Sequence, residues 1–149
     1  MIYLDTNIFL RFLVVPVTDQ DRVWHSQATT LMEGIESGSV HATTSEMVIH
    51  EVCYVLGSRQ QYGMEPVDIV ERVRAVLLFT GMRFDGDEGG VFRAALDCWQ
   101  SNPKLGFSDS VIAARCERAG HELATFDRHF ADLPFLQLWR PETTSTNET

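Results

Sequence analysis

The sequence predicts an α/β protein, a three-layer α/β/α arrangement around a mainly parallel sheet of about five strands. Three observations carry this expectation. Short apolar runs alternate with longer segments whose apolar residues recur at three- and four-residue spacing, the alternation of a sheet built from helical crossovers. The first run, Ile2 to Leu4, is apolar without alternation, as a strand covered on both faces should be. It stops on Asp5, which puts an acid at the strand's carboxyl end, the side on which open α/β sheets bind ligands.

The elements come in this order along the chain. Ile8 to Val15 reads as a short helix stopped near Pro16, and Asp19 to Ser37 as a longer one. The longer segment carries Val23, Trp24, Ala28, Leu31, Met32 and Ile35 at helical spacing, and Gly38 stops it. Ser39 to Thr43 is a second strand, and Ser45 precedes a helix that runs to Leu56 and ends at Gly57. Pro66 opens the next helix, where its missing N–H costs least, and that helix reaches Phe79. Gly81 to Asp85 is a third strand, followed by a helix from Asp87 through Trp99 and a loop at Pro103 and Gly106. Ser108 caps a helix to Ala119 that Gly120 closes. His121 to Phe126 and Phe135 to Trp139 are the fourth and fifth strands.

A chain of 149 residues with this pattern predicts one domain over residues 1–140. The polar segment from Pro141 (PETTSTNET) lacks apolar anchors and is expected to be a disordered tail. Apolar residues make up 44% and charged residues 22%, which excludes general disorder. No apolar run approaches the ~18 residues of a membrane helix. The N-terminus has no basic region ahead of an apolar stretch, so no secretory leader is expected. Cys53, Cys98 and Cys116 are odd in number and scattered through helix-like segments. They read as buried core thiols of a reducing compartment, which predicts a cytoplasmic protein. The net charge of −9 argues against gripping nucleic acid by bulk charge. It does not exclude a nuclease, since bound divalent cations reverse the sign of an acidic site.

Four acids then draw attention. Asp5 ends the first strand, Asp109 opens a helix in FSDSVIAARC, and Asp127 follows the strand-like run of HELATFDRHF. Glu51 lies in SEMVIHEVCYVL among the apolar residues Met47, Val48, Tyr54 and Val55, with no cation on its helical face, since His50 and Arg59 point elsewhere. Each has a bland explanation: Asp5 as a helix cap, Asp109 as a carboxylate favoured by the helix dipole, Asp127 as a turn residue. A buried Glu51 without a partner has none. In a parallel sheet Asp5, Asp109 and Asp127 share one rim. Carboxylates crowded there repel, and the arrangement is costly unless a cation neutralises it. Oxygen-only ligands select hard ions such as Mg²⁺, with Mn²⁺ able to substitute. The chemistry such a site serves best is attack of metal-activated water on a phosphodiester.

The segments LDTNIFL, HEVCYVL, FSDSVIAARC and LATFDRHF resemble the four motifs of the PIN-domain nucleases, in particular the VapC-type toxins of bacterial toxin–antitoxin pairs. The resemblance runs in order from Ile2 to about Trp139. It implies Asp5, Glu51, Asp109 and Asp127 as the acidic catalytic set, with Asp5, Asp109 and Asp127 as metal ligands. It also implies hydroxyl support from Thr6 and Thr125, and hydrogen bonding of Asn7 to the first acid. An endoribonuclease held in check by a small antitoxin, and commonly a homodimer, is the expected protein. Arg115 and Arg128, nearest in sequence to these motifs, are candidates for holding the scissile phosphate of RNA.

Other features carry less. DGDEGG (Asp85 to Gly90) lacks the later ligands of a calcium loop and reads as a helix start. His121 and His129 read as surface residues, Asp97 as a solvated acid, and Trp24, Trp99 and Trp139 as core. Two other functions compete with the nuclease. A haloacid dehalogenase-like phosphotransferase also places Asp after its first strand, but needs a second Asp where this chain has Asn7 and a lysine for which only Lys104 is available. A non-catalytic PIN-like binding module is disfavoured by the presence of all four acids.

Overall fold

The computed structural model describes residues 1–140; the segment from Pro141, expected to be a disordered tail, lies outside the described residues. The described chain begins with β1 (Ile2–Tyr3), α1 (Thr6–Leu13), α2 (Asp19–Ser37), β2 (Ala42–Thr43) and α3 (Glu46–Gly57). It continues through α4 (Pro66–Leu77), α5 (Glu88–Ser101), α6 (Gly106–Ala119), β3 (Glu122–Leu123), a 3₁₀ turn (Arg128–Asp132) and β4 (Gln137–Leu138).

The helices form where periodicity and caps agree. Thr18 and Asp21 make a reciprocal capping box at the start of α2, and Gly38 ends that helix in the left-handed conformation with φ 81°. The Ser45 hydroxyl accepts from Val48 N–H at the start of α3, Pro66 occupies the first turn of α4, and Gly120 closes α6 with φ 68°. The sequence assigned Ser108 as the cap of α6, but the helix starts two residues earlier at Gly106. Gly106 has φ 77°, so the chain turns sharply into the helix and Asp109 falls in its first turn.

The class is α/β, but among the described residues the expected sheet of about five strands is replaced by two short parallel pairs. β1 pairs in parallel with β2, matching Ile2 with Ala42 and Tyr3 with Thr43, and β3 pairs in parallel with β4. The expected third strand is reduced to one parallel bridge between Ala42 and Met82. Gly81 makes that bridge possible: a Cβ there would lie 2.1 Å from the Val40 carbonyl oxygen, so only glycine lets the segment approach β2. With two-residue strands the sheet is too small to form a separate middle layer. The helices meet one another directly instead: α1 packs on α2 and α3, α3 on α4 and α6, α5 on α4 and α6. Ile2 and Tyr3 are exposed, and only Leu4 of the opening run is buried, so β1 is not covered on both faces.

The core is therefore mostly helical, with Leu4, Phe9, Met32, Ile35, Ile49, Leu56, Val73, Phe92 and Leu96 fully enclosed. A smaller cluster of Leu105, Ala113, Phe130 and Leu133 sits under the last loops. Trp99 joins the core, but Trp24 and Trp139 are exposed; the Arg11 guanidinium lies 4.5 Å from the centre of the Trp24 ring. All three cysteines are free thiols; Cys53 is buried, whereas Cys98 and Cys116 are only partly covered. Asp97 is ion-paired with Arg74 at 2.8 Å. DGDEGG is a turn into α5, where Asp87 takes a two-bonded ion pair from Arg118 at 2.7 Å and ties the start of α5 to the end of α6. Among the described residues, no helix is long and apolar enough to cross a membrane.

Candidate active site

The end of β1 is fixed by backbone and hydroxyl bonds together. Leu4 N–H donates to Thr43 O at 2.8 Å, and the Thr44 hydroxyl donates to Leu4 O at 3.0 Å within the interior. The Tyr3 hydroxyl donates to Ser45 Oγ at 2.7 Å. Asp5 comes next, at the N-cap position of α1, yet its carboxylate makes no capping bond and is exposed. The helix-cap explanation therefore does not account for the side chain.

Thr6 is buried at 6% exposure, and its hydroxyl donates to Glu51 Oε2 at 2.8 Å. Packing of α1 on α3 makes this contact, which brings Glu51 beside the residue after Asp5. The sequence placed Glu51 in an apolar interior. It is instead exposed, because Met47 and Tyr54, which share its helical face, are themselves 78% and 69% exposed. Of its apolar neighbours at helical spacing only Val48 is buried, and Val55 is half-buried.

The other two expected acids lie on α6 and in the loop after β3. Asp109, partly buried, has its pKa raised above the ordinary value of 3.8, first by desolvation and then by the charge of Asp127; His129 and His50 oppose the rise. Asp127 is held in a turn: its N–H donates to Thr125 Oγ1 at 3.0 Å, and its Oδ1 accepts from His129 N–H at 2.9 Å. Asp127 thus does the turn work its residue type suggests, and its charge also acts on Asp109. Thr125 serves that turn.

The remaining expected residues lie elsewhere or are otherwise engaged. Asn7 lines a groove between α1 and α2 with Ile8, Arg11, Trp24 and Leu31, and among the described residues no hydrogen bond joins it to Asp5. The Arg115 guanidinium is bound by the carboxylates of Glu46 and Glu88, which raise its pKa. Arg128 is exposed and has no ion pair among the described residues. Sequence reasoning passed over two neighbours of the acids. His50 lines one cavity with Asp109, a proximity made by α3 packing on α6 that no sequence spacing reveals. Phe126 is fully exposed beside Asp127; an isolated aromatic between Thr and Asp was the only signal for it.

Among the described residues, no three His, Cys, Asp or Glu side chains converge closely enough to hold a metal ion. The donor chemistry nevertheless fits a hard divalent cation: every expected ligand is a carboxylate, Asp5 is uncapped, and Asp109 has its charged form disfavoured by burial and by the charge of Asp127. Asp5, Asp109 and Asp127 are the side chains that would hold it.

Residues 2–136 match the PIN domain, a span that contains all four acids. The chain belongs to the PIN-domain family. PIN domains are typically metal-dependent nucleases, and they act on nucleic acid. No curated protein matches the chain significantly. Membership in this family leaves the haloacid dehalogenase reading without support.

The raised pKa of Asp109 has a consequence for the metal-free protein. A carboxyl whose folded pKa exceeds its unfolded value contributes stability that is fully present below the unfolded value and is lost as pH rises through the folded one. Melting in a chelator should therefore fall as pH rises from about 4 toward neutrality. Asp109→Asn should flatten that fall. An identical pH slope in the variant would show that Asp109 is not the strained group.

Proposed function

We propose that this PIN-domain protein is a Mg²⁺-dependent endoribonuclease, with Mn²⁺ able to substitute, and that it is the toxin of a type II toxin–antitoxin pair. The observation that carries the reading is the uncapped Asp5 carboxylate at the end of β1, beside a Glu51 already oriented by the buried Thr6. A divalent ion bound by these acids would supply charge to offset the scissile phosphate and acidify a water molecule. The chain's own contributions are distinct. Asp5, Asp109 and Asp127 would hold the ion. Glu51 Oε2 accepts a hydrogen bond from the Thr6 hydroxyl, which leaves Oε1 as the oxygen to take a proton from the attacking water. Arg128, unlike the doubly paired Arg115, is free to meet a phosphate.

One observation favours a second reading, a non-catalytic binding module: the acids do not converge into a complete ligand set among the described residues. Activity decides between them. Asp5→Asn should lower ribonuclease turnover about a hundredfold or more, because it removes a ligand charge worth several kcal/mol and almost no volume. Asp127→Asn should lose less, since its Oδ1 is partly committed to His129. Retained Mg²⁺-dependent cleavage by purified, folded Asp5→Asn protein would refute the assignment.

Charge points to the proposed partners. A protein of net charge −9 whose site is built of carboxylates favours a small antitoxin that inserts Arg or Lys among them and competes with the metal. The toxin itself is proposed to be a cytoplasmic homodimer. Co-purification from the native host should yield a small basic-segment partner that inhibits cleavage, and its loss should restore activity. A partner that binds without inhibiting would contradict this arrangement.

A further inference from the structure

We propose that the cavity beside Asp109 receives one unstacked nucleobase of the RNA, adjacent to the phosphate that is cut, with Tyr54 as its stacking wall. The inference rests on the ribonuclease reading above.

Position is the first argument. The cavity lies between α3, the start of α4, the end of α5 and the start of α6, and its lining includes Asp109, one of the proposed metal ligands. Size is the second. At about 380 Å³ it falls in the range of sites for small organic ligands, roughly 300–1,000 Å³, and is too small for a helix. Its chemistry suits a base: Ile69, Trp99 and Phe107 make an apolar floor, while His50 and Ser108 offer polar atoms at the edge. Trp99 uses its own indole N–H within the fold, donating to Pro103 O at 3.3 Å, so it serves as surface only.

Tyr54 is the least expected part of the lining. It is 69% exposed, one helical turn beyond Glu51, and its hydroxyl has no hydrogen bond among the described residues. A large ring left open beside a set of carboxylates does nothing for the core. Single-stranded RNA is recognised by splaying bases onto such rings.

Charge is the third argument, and it explains why a base contact is needed. Arg11, Arg22, Arg74, Arg115 and Arg118, five of the 12 basic residues, are each paired with a carboxylate, and the chain as a whole carries a net charge of −9. The usual source of RNA affinity, neutralisation of phosphates by Lys and Arg, is therefore weak. Stacking on an aromatic is largely independent of that charge.

The test uses the full-length protein with Mg²⁺ and short unstructured oligoribonucleotides whose cleavage point has been mapped. An abasic nucleotide is then placed on each side of that point in turn. On one side the abasic substrate should raise KM roughly five- to hundredfold, and Tyr54→Ala should raise it by a similar factor with the intact substrate. The two losses should not multiply, and Tyr54→Phe should restore the wild-type KM. Tyr54→Ala should melt as wild type does, because the side chain is exposed. If the wild-type protein neither cleaves nor binds any of the RNAs, the ribonuclease reading falls and the base site falls with it. If it cleaves, but abasic substrates and Tyr54→Ala are each without effect, the ribonuclease reading stands and the base site is overturned. Loss of self-association in Tyr54→Ala with unchanged RNA kinetics would assign the cavity to a second copy of the chain, and would overturn it equally.

Discussion

The geometry of the acidic site depends on how the carboxyl end of β1 is held. A two-residue parallel strand has too short a backbone ladder to fix the residues beyond it. Side-chain hydroxyls supply the rest. Thr44 bonds the Leu4 carbonyl from inside the core, the Tyr3 hydroxyl reaches Ser45, and Thr6 reaches Glu51. Three of these partners belong to the segment from Thr44 through α3, so that segment and the β1–α1 junction are positioned as one unit. Asp5 inherits its place from that unit while its own carboxylate stays unused.

The other two acids arrive by a separate route. Gly106 turns the chain into α6, and the Asp87–Arg118 pair fixes the far end of that helix against α5. Asp109 then feels the charge of an Asp127 that is itself held by Thr125 and His129. Partial burial and a like charge both disfavour ionised Asp109, so this half of the site is set up to gain from a cation. Arg115 and Arg118 do not supply it, because they are spent on other acids: Arg115 on Glu46 and Glu88, Arg118 on Asp87. An exogenous hard cation is the physical complement of what the chain provides.

The helices were legible in the sequence because their signals are local: a capping box at Thr18, a cap at Ser45, Pro66 in a first turn, left-handed glycines at 38 and 120. The sheet was not. Apolar runs of three to six residues read as full strands, but pairing depends on partners distant in sequence, and here at most two residues of each run pair, and only Met82 of the third. Apolar character also misled at particular positions. Met47 and Tyr54 made Glu51 look buried, and Trp24 and Trp139 looked like core, although all four are exposed. The sequence put Asp5, Asp109 and Asp127 on one rim; of these the structure couples Asp109 with Asp127, while Glu51 is bonded to Thr6 through the packing of α1 on α3, which no sequence spacing reveals. His50 entered for the same reason.

Acids from these two separately positioned halves serve one divalent ion in the function proposed above. Calorimetric titration of Mn²⁺ into wild-type protein, Asp5→Asn and Asp109→Asn tests that sharing most directly. The expected result is Mn²⁺ binding to the wild type that is lost in both variants, while each variant still unfolds cooperatively in a chelator. Wild-type Mn²⁺ affinity in either variant would contradict it, because Asp5 and Asp109 would then not share an ion.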